Sequence, residues 1–97
     1  MKPANAATYR KACIDLALIE RPRVVVEVGV YEGALSRMFA ALPFVERLYI
    51  VDSWDGAYSE FGQKHMDQIA ASVQAWGDTV RDKVTIHRMD SADGARL

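Results

Sequence analysis

The segment from Glu27 to Gly33 combines two glycines and two glutamates at a spacing typical of a ligand-binding loop. It reads Glu-Val-Gly-Val-Tyr-Glu-Gly and directly follows a run of valines. Gly29 allows a sharp turn, and Gly33 allows a ligand to approach the backbone, because glycine has no Cβ atom. Between a strand and a helix, backbone N–H groups and the positive end of the helix dipole face the ligand. We therefore expect a ligand site here, with a purely structural strand-to-helix turn as the alternative.

Asp52 stands 19 residues beyond Gly33, at the expected end of the next strand. A carboxylate at this place can accept hydrogen bonds from both hydroxyls of a ribose. A dinucleotide loop has the pattern Gly-x-Gly-x-x-Gly, whose second glycine admits a pyrophosphate, and Tyr31 stands at that position here. Glu27 would repel a phosphate and attract an ammonium group. The pattern favours a cationic nucleoside, and the alternative for Asp52 is a cap of the turn that follows it.

Helices and strands alternate along the chain around these residues. The apolar patterns predict helices over 6–20, 35–42 and 59–82 and strands over 23–28, 48–51 and 84–89. The first strand is β-branched without polar alternation, which is typical of an interior strand buried on both faces of a parallel sheet. The alternation predicts a single partial domain over 1–97, an α/β Rossmann-like three-layer sandwich with a parallel sheet, truncated after the third strand.

The first predicted helix has an apolar face, and the first predicted strand has an open edge. The helical face is formed by Tyr9, Ala12, Cys13, Leu16 and Ile19, and Cys13 is expected to be a buried small hydrophobic residue. In the strand order 3-2-1-4, the first strand borders a fourth strand that this chain is expected to lack. Its free edge at Val24 to Val26 predicts a homodimer paired through the sheet edge, or aggregation.

The composition of the 97 residues excludes several classes of function. The net charge is −1 and both signs are scattered, so that no basic surface for nucleic acid is indicated. No apolar stretch approaches the roughly 20 residues that span a bilayer. One cysteine and two separated histidines give no pattern for a metal site. The single cysteine cannot form a disulfide within the chain, which fits a reducing, cytoplasmic location.

Three loops in a fixed order resemble those of class I S-adenosylmethionine-dependent methyltransferases. They are Glu-x-Gly-x-x-x-Gly after the first strand, an acid that ends the second strand and Asp90 after the third. The sequence of Glu27 to Gly33, followed by Val-Asp-Ser-Trp-Asp-Gly, is similar to that of the small-molecule O-methyltransferase-like branch. The resemblance covers 6–94, which corresponds to the cofactor-binding half of such a domain.

The resemblance implies a cofactor site formed by all three loops. Glu27, Gly29 and Gly33 would line the methionine and ribose side of S-adenosyl-L-methionine. Tyr31 and Glu32 would approach its carboxylate through backbone N–H groups.

The second and third loops would hold the ribose and the base of the cofactor. Asp52 would bind the ribose hydroxyls, and Asp90 would bind the adenine amino group. The residues bordering the base would be Ser53, Trp54, Ser91 and Ala92. Alternatives stay open, because Asp90 also suits an Asx turn and Trp54 could cover the core instead.

The family resemblance predicts methyl transfer to a small-molecule acceptor. Family members commonly carry the acceptor-binding residues, and any base or metal ligand, after the fourth strand, so no catalytic residue is assigned here. The chain is expected to be a fragment that is inactive alone. Two other classes remain as alternatives: a fragment of an NAD or nucleotide-sugar enzyme, and a non-catalytic Rossmann-like binding or assembly module.

Overall fold

A computed structural model describes residues 3–58 and 60–94, without the side chains of residues 3–5, 58 and 91. The elements are α1 (Pro3–Glu20), β1 (Val24–Val28), α2 (Ala34–Ala40), β2 (Arg47–Asp52), a 3₁₀ turn (Gly56–Tyr58), α3 (Gly62–Thr79), β3 (Val84–Arg88) and α4 (Ser91–Gly94). The predicted α/β alternation is confirmed. The long helix α3 is shorter at both ends than expected and continues through Gly77.

The three strands form one parallel sheet in the order β1-β2-β3. Val26 pairs with Tyr49, and Tyr49 pairs with Thr85, so the middle residues of the three strands are aligned across the sheet. Within the described ranges, β1 pairs with β2 alone and is an edge strand. The prediction of an interior first strand is therefore wrong for this chain, whereas the open edge expected from the strand order is confirmed.

One face of the sheet carries the hydrophobic core. Leu48 and Ile50 on β2 are fully buried there, and the apolar stripe of α3 packs over them through Met66 and Val73. The other buried members of this cluster are Val30, Val45, Trp54, Ala70 and Val84. The apolar pattern that predicts a helix over 59–82 also predicts this stripe, because residues three and four apart share one face of a helix.

The opposite face of the sheet is largely open. The side chains of Val24, Val26 and Val28 are 55%, 62% and 57% exposed, since alternate residues of a strand point to opposite faces. In the described part of the chain, α4 contributes the cover on this side, where Gly94 approaches the side chain of Val51. The third layer of the expected sandwich is thus represented by one helical turn.

Helix α1 packs beside α2, and its apolar face is mostly exposed. Tyr9, Leu16 and Ile19 are each more than half exposed, and Ala17 is buried instead. Cys13 is half-buried, so the expectation of a buried cysteine was wrong. Periodicity identified an apolar face here, but no described element covers it. Within the described ranges, no helix has both the length and the apolar character needed to cross a lipid bilayer.

Candidate functional site

The carboxyl ends of the three strands meet at one edge of the sheet. The backbone N–H of Gly29 donates to the carbonyl oxygen of Val51 at 2.9 Å, and that of Met89 donates to the carbonyl oxygen of Asp52 at 3.0 Å. These bonds place the loops that follow β1, β2 and β3 side by side. In open parallel sheets this edge is the usual place for a ligand crevice.

The carboxylate of Asp52 joins the first two loops. Its Oδ2 accepts hydrogen bonds from the backbone N–H groups of Val30 and Tyr31, both at 2.8 Å. Its Oδ1 accepts one from the backbone N–H of Trp54 at 2.8 Å, which is an Asx turn. A carboxylate has about four acceptor positions, so these donors leave about one for a ligand. The capping role left open by the sequence is present, and binding of two ribose hydroxyls would require the loop to release a donor.

Trp54 supports the glycine loop from inside the core. Its side chain is 1% exposed, and its indole Nε1–H donates to the carbonyl oxygen of Tyr31 at 2.8 Å. Both residues have positive φ, +46° for Trp54 and +54° for Tyr31, which is uncommon for residues other than glycine. In this conformation the indole does not border a ligand space, so it does not flank an adenine pocket as expected. Its large apolar ring is packed in the core instead.

The two glycines of the first loop differ in their surroundings. Gly29 has φ +79°, and no atom lies within 4 Å of where a Cβ would stand. Gly33 has φ +81° and is buried, and a Cβ there would lie 3.5 Å from a methyl group of Val73 on α3. Gly29 therefore faces open space, as a ligand site requires. Gly33 faces α3, and its role is to start α2 rather than to admit a ligand.

Substitution of Gly33 tests this conformational role. We expect Gly33→Ala to lower the free energy of unfolding by about 1 kcal/mol, because an alanine at positive φ is strained although its methyl group has room. Gly33→Asn should lower it less, since asparagine tolerates the left-handed conformation. Urea denaturation of both variants measures the difference. Equal stability of Gly33→Ala and the wild type would contradict the assigned backbone strain.

Glu27, at the end of β1, is a partly desolvated carboxylate. Burial raises its pKa, and the negative charge of Asp52 raises it further, while a hydrogen bond from Ser36 opposes the change. The Oγ–H of Ser36 donates to Oε1 of Glu27, and Ser36 is fully buried. No motif in the sequence pointed to Ser36, although its position three residues after Gly33 puts it in the first turn of α2.

A cavity of about 550 Å³ lies between α1 and the loop after β1. Its lining residues are Ala6, Tyr9, Arg10, Glu27, Gly29, Val30, Tyr31, Glu32, Ala34 and Leu35. It therefore brings together four of the expected site residues and adds a cation, Arg10, from α1. The volume is within the range of small-molecule sites in proteins, about 300 to 1,000 Å³. Nothing in the local sequence pattern around Arg10 pointed to this loop.

The third loop begins with a helix cap. Oδ1 of Asp90 accepts a hydrogen bond from the backbone N–H of Asp93 at 2.8 Å, so Asp90 caps α4, a local structural role like the Asx turn left open above. Ala92 is exposed, and the side chain of Ser91 lies outside the described residues. Asp90 and Ala92 thus stand at the expected edge of the sheet.

The loop after β2 is tied to α3 and β3 by polar side chains. Gln63 donates from Nε2 to the carbonyl oxygen of Trp54 at 2.9 Å and accepts from the backbone N–H of Gly56 at 2.7 Å. Arg88 donates to the carbonyl oxygen of Ser53 at 3.2 Å and forms an ion pair with Asp67. The hydrogen bonds from Arg88 and Gln63 lower the pKa of Asp67. These long-range partners have no local sequence signal.

A second depression of about 430 Å³ lies between α2 and α3, with Glu32, Ala34, Arg37, Ile69 and Ser72 around it. Of the expected site residues it contains Glu32, whereas the cavity beside Gly29 contains four. In the described part of the chain, His, Cys, Asp and Glu side chains form no group of three or more that could hold a metal ion. Comparisons of the chain with protein-family models, curated proteins and solved structures gave no match.

Proposed function

We propose that this chain is the cofactor-binding part of a Rossmann-like, S-adenosylmethionine-dependent methyltransferase that acts on a small molecule. The observation that carries the proposal is that charges of both signs line one cavity. Arg10 and Glu27 both line the space beside Gly29. The amino acid end of the cofactor carries one carboxylate and one ammonium group, which these two side chains complement.

Each charge has a separate task in this proposal. The guanidinium of Arg10 offers a planar set of donors that matches a carboxylate. Glu27 offers an acceptor whose partial burial raises its pKa, so a ligand ammonium that pairs with it would restore its usual ionisation. The same carboxylate would repel the pyrophosphate of a dinucleotide, which supports the cofactor proposed here over NAD.

The rest of the cofactor would extend along the edge of the sheet. The remaining acceptor capacity of Asp52 suits one ribose hydroxyl. The adenine would lie towards Ser53 and the loop with Asp90 and Ala92, where an acid could accept from the amino group. Trp54 would support this arrangement through the carbonyl group of Tyr31 rather than by stacking.

The proposed reaction is a displacement at the sulfonium methyl group. The acceptor atom forms a bond to the methyl carbon while the bond from carbon to sulfur breaks, and S-adenosylhomocysteine leaves as the neutral thioether. An acceptor hydroxyl loses its proton to water in the same process. The described residues would hold and orient the donor, and positioning supplies much of the rate enhancement in such transfers.

Calorimetric titration with S-adenosylhomocysteine tests the proposal, with NAD as the comparator and circular dichroism as the check of folding. We expect selective binding of S-adenosylhomocysteine, and Arg10→Ala should weaken it at least about tenfold through loss of a charged hydrogen bond. The matched control is Lys11→Ala, because Lys11 is exposed and pairs with Asp15 away from the cavity. Methylthioadenosine lacks the amino acid end, so its affinity should not change in Arg10→Ala. Preference for NAD would overturn the proposal, and a folded chain that binds neither ligand would favour a non-catalytic module.

A further inference from the structure

Two tyrosine side chains line the cavity beside Gly29. Tyr9 belongs to α1, and Tyr31 belongs to the loop after β1. The two residues are 52% and 40% exposed, so neither ring is enclosed in the hydrophobic core. A tyrosine ring that lines a cavity offers a ligand apolar area together with the negative face of its π system.

The backbone of Tyr31 is engaged on both sides. Its N–H donates to Oδ2 of Asp52, and its carbonyl oxygen accepts from the indole Nε1–H of Trp54, both at 2.8 Å. The N–H is therefore not free for the carboxylate of a cofactor, as the family resemblance would imply. Tyr31 would contact a ligand chiefly through its ring, which extends from a point of the loop that these two bonds hold in place.

The charged groups of the cavity favour a ligand with a net positive charge. Glu27 and Glu32 contribute two carboxylates and Arg10 contributes one guanidinium, a formal charge of −1 when both acids are ionised. In the part of the chain that the structure describes, no basic side chain lies within ion-pair distance of Glu27. A hydrogen bond with the thiol of Cys13 raises the pKa of Tyr9, and the charge of Glu27 raises it further, so this phenol is within electrostatic reach of the carboxylate.

We propose that the rings of Tyr9 and Tyr31 contact the sulfonium group of the cofactor and make the site selective for the methyl donor over its product. This inference rests on the function proposed above. In S-adenosylmethionine, two methylene groups separate the sulfur from the carbon that carries the ammonium group, and one separates it from the ribose. The sulfur therefore lies between the group that pairs with Glu27 and the group that Asp52 would bind. Tyr31 follows Glu27 in the same loop and bonds directly to Asp52.

The sulfonium group differs from the thioether of the product by one methyl group and one positive charge. The face of an aromatic ring attracts a cation within about 6 Å of the ring centroid, and each ring strengthens binding about two- to fivefold at an exposed site. The donor carries one carboxylate and two cationic groups, whereas the product, S-adenosylhomocysteine, has no net charge. The negative cavity therefore complements the donor, and the attraction ends once the methyl group has been transferred.

Calorimetric titration with the donor and with the product tests this preference. We expect the wild type to bind S-adenosylmethionine at least about fivefold more tightly than S-adenosylhomocysteine. Tyr9→Leu and Tyr31→Leu should each lower this ratio about two- to fivefold, because leucine keeps apolar contact with the product but offers no π system to the cation. Tyr9→Phe keeps the ring and should keep the ratio.

The matched control is Tyr49→Leu. Tyr49 is a partly exposed tyrosine on β2 that pairs with Val26, and it does not line the cavity. The same substitution at this position should leave the affinities for both ligands unchanged. Circular dichroism checks that each variant folds.

Nuclear magnetic resonance of a donor isotopically labelled at its methyl group gives a second readout, which does not depend on affinity. Rings whose faces meet the sulfonium group should move the signal of the bound methyl group upfield. Tyr9→Leu and Tyr31→Leu should each reduce this shift, and Tyr49→Leu should not.

The two titrations also distinguish this inference from the proposed function. The role of the rings is overturned, while the cofactor proposal stands, if the product binds as tightly as the donor or more tightly. The same holds if the affinity ratio and the methyl shift are unchanged in both cavity leucine variants, or if the wild type gives no upfield shift. A folded chain that binds neither donor nor product overturns both proposals.

Discussion

Asp52→Ala should lower the free energy of unfolding by about 3 kcal/mol, the largest expected loss for a polar side chain in this site. Three backbone N–H groups, those of Val30, Tyr31 and Trp54, lose a charged acceptor at once. A hydrogen bond to a charged group contributes about 1.5 to 3 kcal/mol, and partial access of water to this half-exposed loop keeps the total below the sum. Urea denaturation followed by tryptophan fluorescence measures the loss, because Trp54 is buried against the affected loop.

Asp90→Ala is the matched control for this prediction. Asp90 is also an aspartate at the end of a strand, but one described bond, from the N–H of Asp93, depends on its Oδ1. Loss of a single helix cap costs about 1 kcal/mol. If Asp52→Ala were no more destabilising than Asp90→Ala, the three bonds to Asp52 would not be holding the loops together.

The structural role of Asp52 changes how a binding experiment on it must be interpreted. A loss of affinity in Asp52→Ala would arise from a displaced glycine loop as readily as from a lost ribose contact. Asp52→Asn disturbs the loop less, because its amide oxygen can still accept from Val30 and Tyr31 while its NH2 group faces the N–H of Trp54, so the variant releases one loop donor rather than three. Weaker binding of methylthioadenosine by this variant, with a loss of stability well below that of Asp52→Ala, would indicate a ribose contact.

The order of the elements and the meeting of the loops after the strands were predictable from the sequence for a physical reason. Valine runs bounded by glycine or aspartate mark strands, and a three- to four-residue period marks α3, so the alternation followed from local pattern. Parallel strands bring their carboxyl ends to one edge, so the pattern alone predicts that Gly29 and Asp52 lie together. The topology determines this placement, because a helical crossover between parallel strands allows few other arrangements.

Local pattern could not predict which side chains those residues would face. The spacing of Trp54 and Asp52 suited a ligand, but their partners are backbone groups of a loop more than 20 residues away. Gly33 was expected to meet a ligand and instead meets Val73 on α3. The apolar face of α1 was real, yet periodicity does not say which element covers it. Arg10 lines the cavity because α1 packs beside α2, and this packing is a tertiary contact that local sequence does not encode.

Glu27→Gln should have opposite effects on ligand binding and on stability. The cofactor ammonium group loses its charged partner, so we expect S-adenosylhomocysteine to bind roughly ten- to a hundredfold more weakly, the range for one hydrogen bond to a charged group. Methylthioadenosine has no ammonium group, and its affinity should be unchanged. Titration of both ligands against both proteins gives the comparison, and an equal loss for the two would contradict the assigned role.

The stability of the unliganded protein should rise in the same variant, by an amount that depends on pH. Burial raises the pKa of Glu27 above its unfolded value, so the folded chain binds this proton more tightly. The contribution of Glu27 to stability is then fully present below the unfolded pKa and is lost as pH rises through the folded pKa. Glu27→Gln has no such loss.

Urea denaturation from pH 4 to pH 7 tests this dependence on pH. The stability difference between Glu27→Gln and the wild type should change in favour of the variant as pH rises. Ser36→Ala tests the mechanism. The hydrogen bond from Ser36 favours the charged form of Glu27, so its removal should raise the pKa of Glu27 further and extend the loss of stability to higher pH. A difference that does not vary with pH would show that Glu27 is not desolvated. A carboxylate that binds a ligand ammonium should destabilise the protein without the ligand and strengthen the complex with it, because the ammonium group compensates for the buried charge.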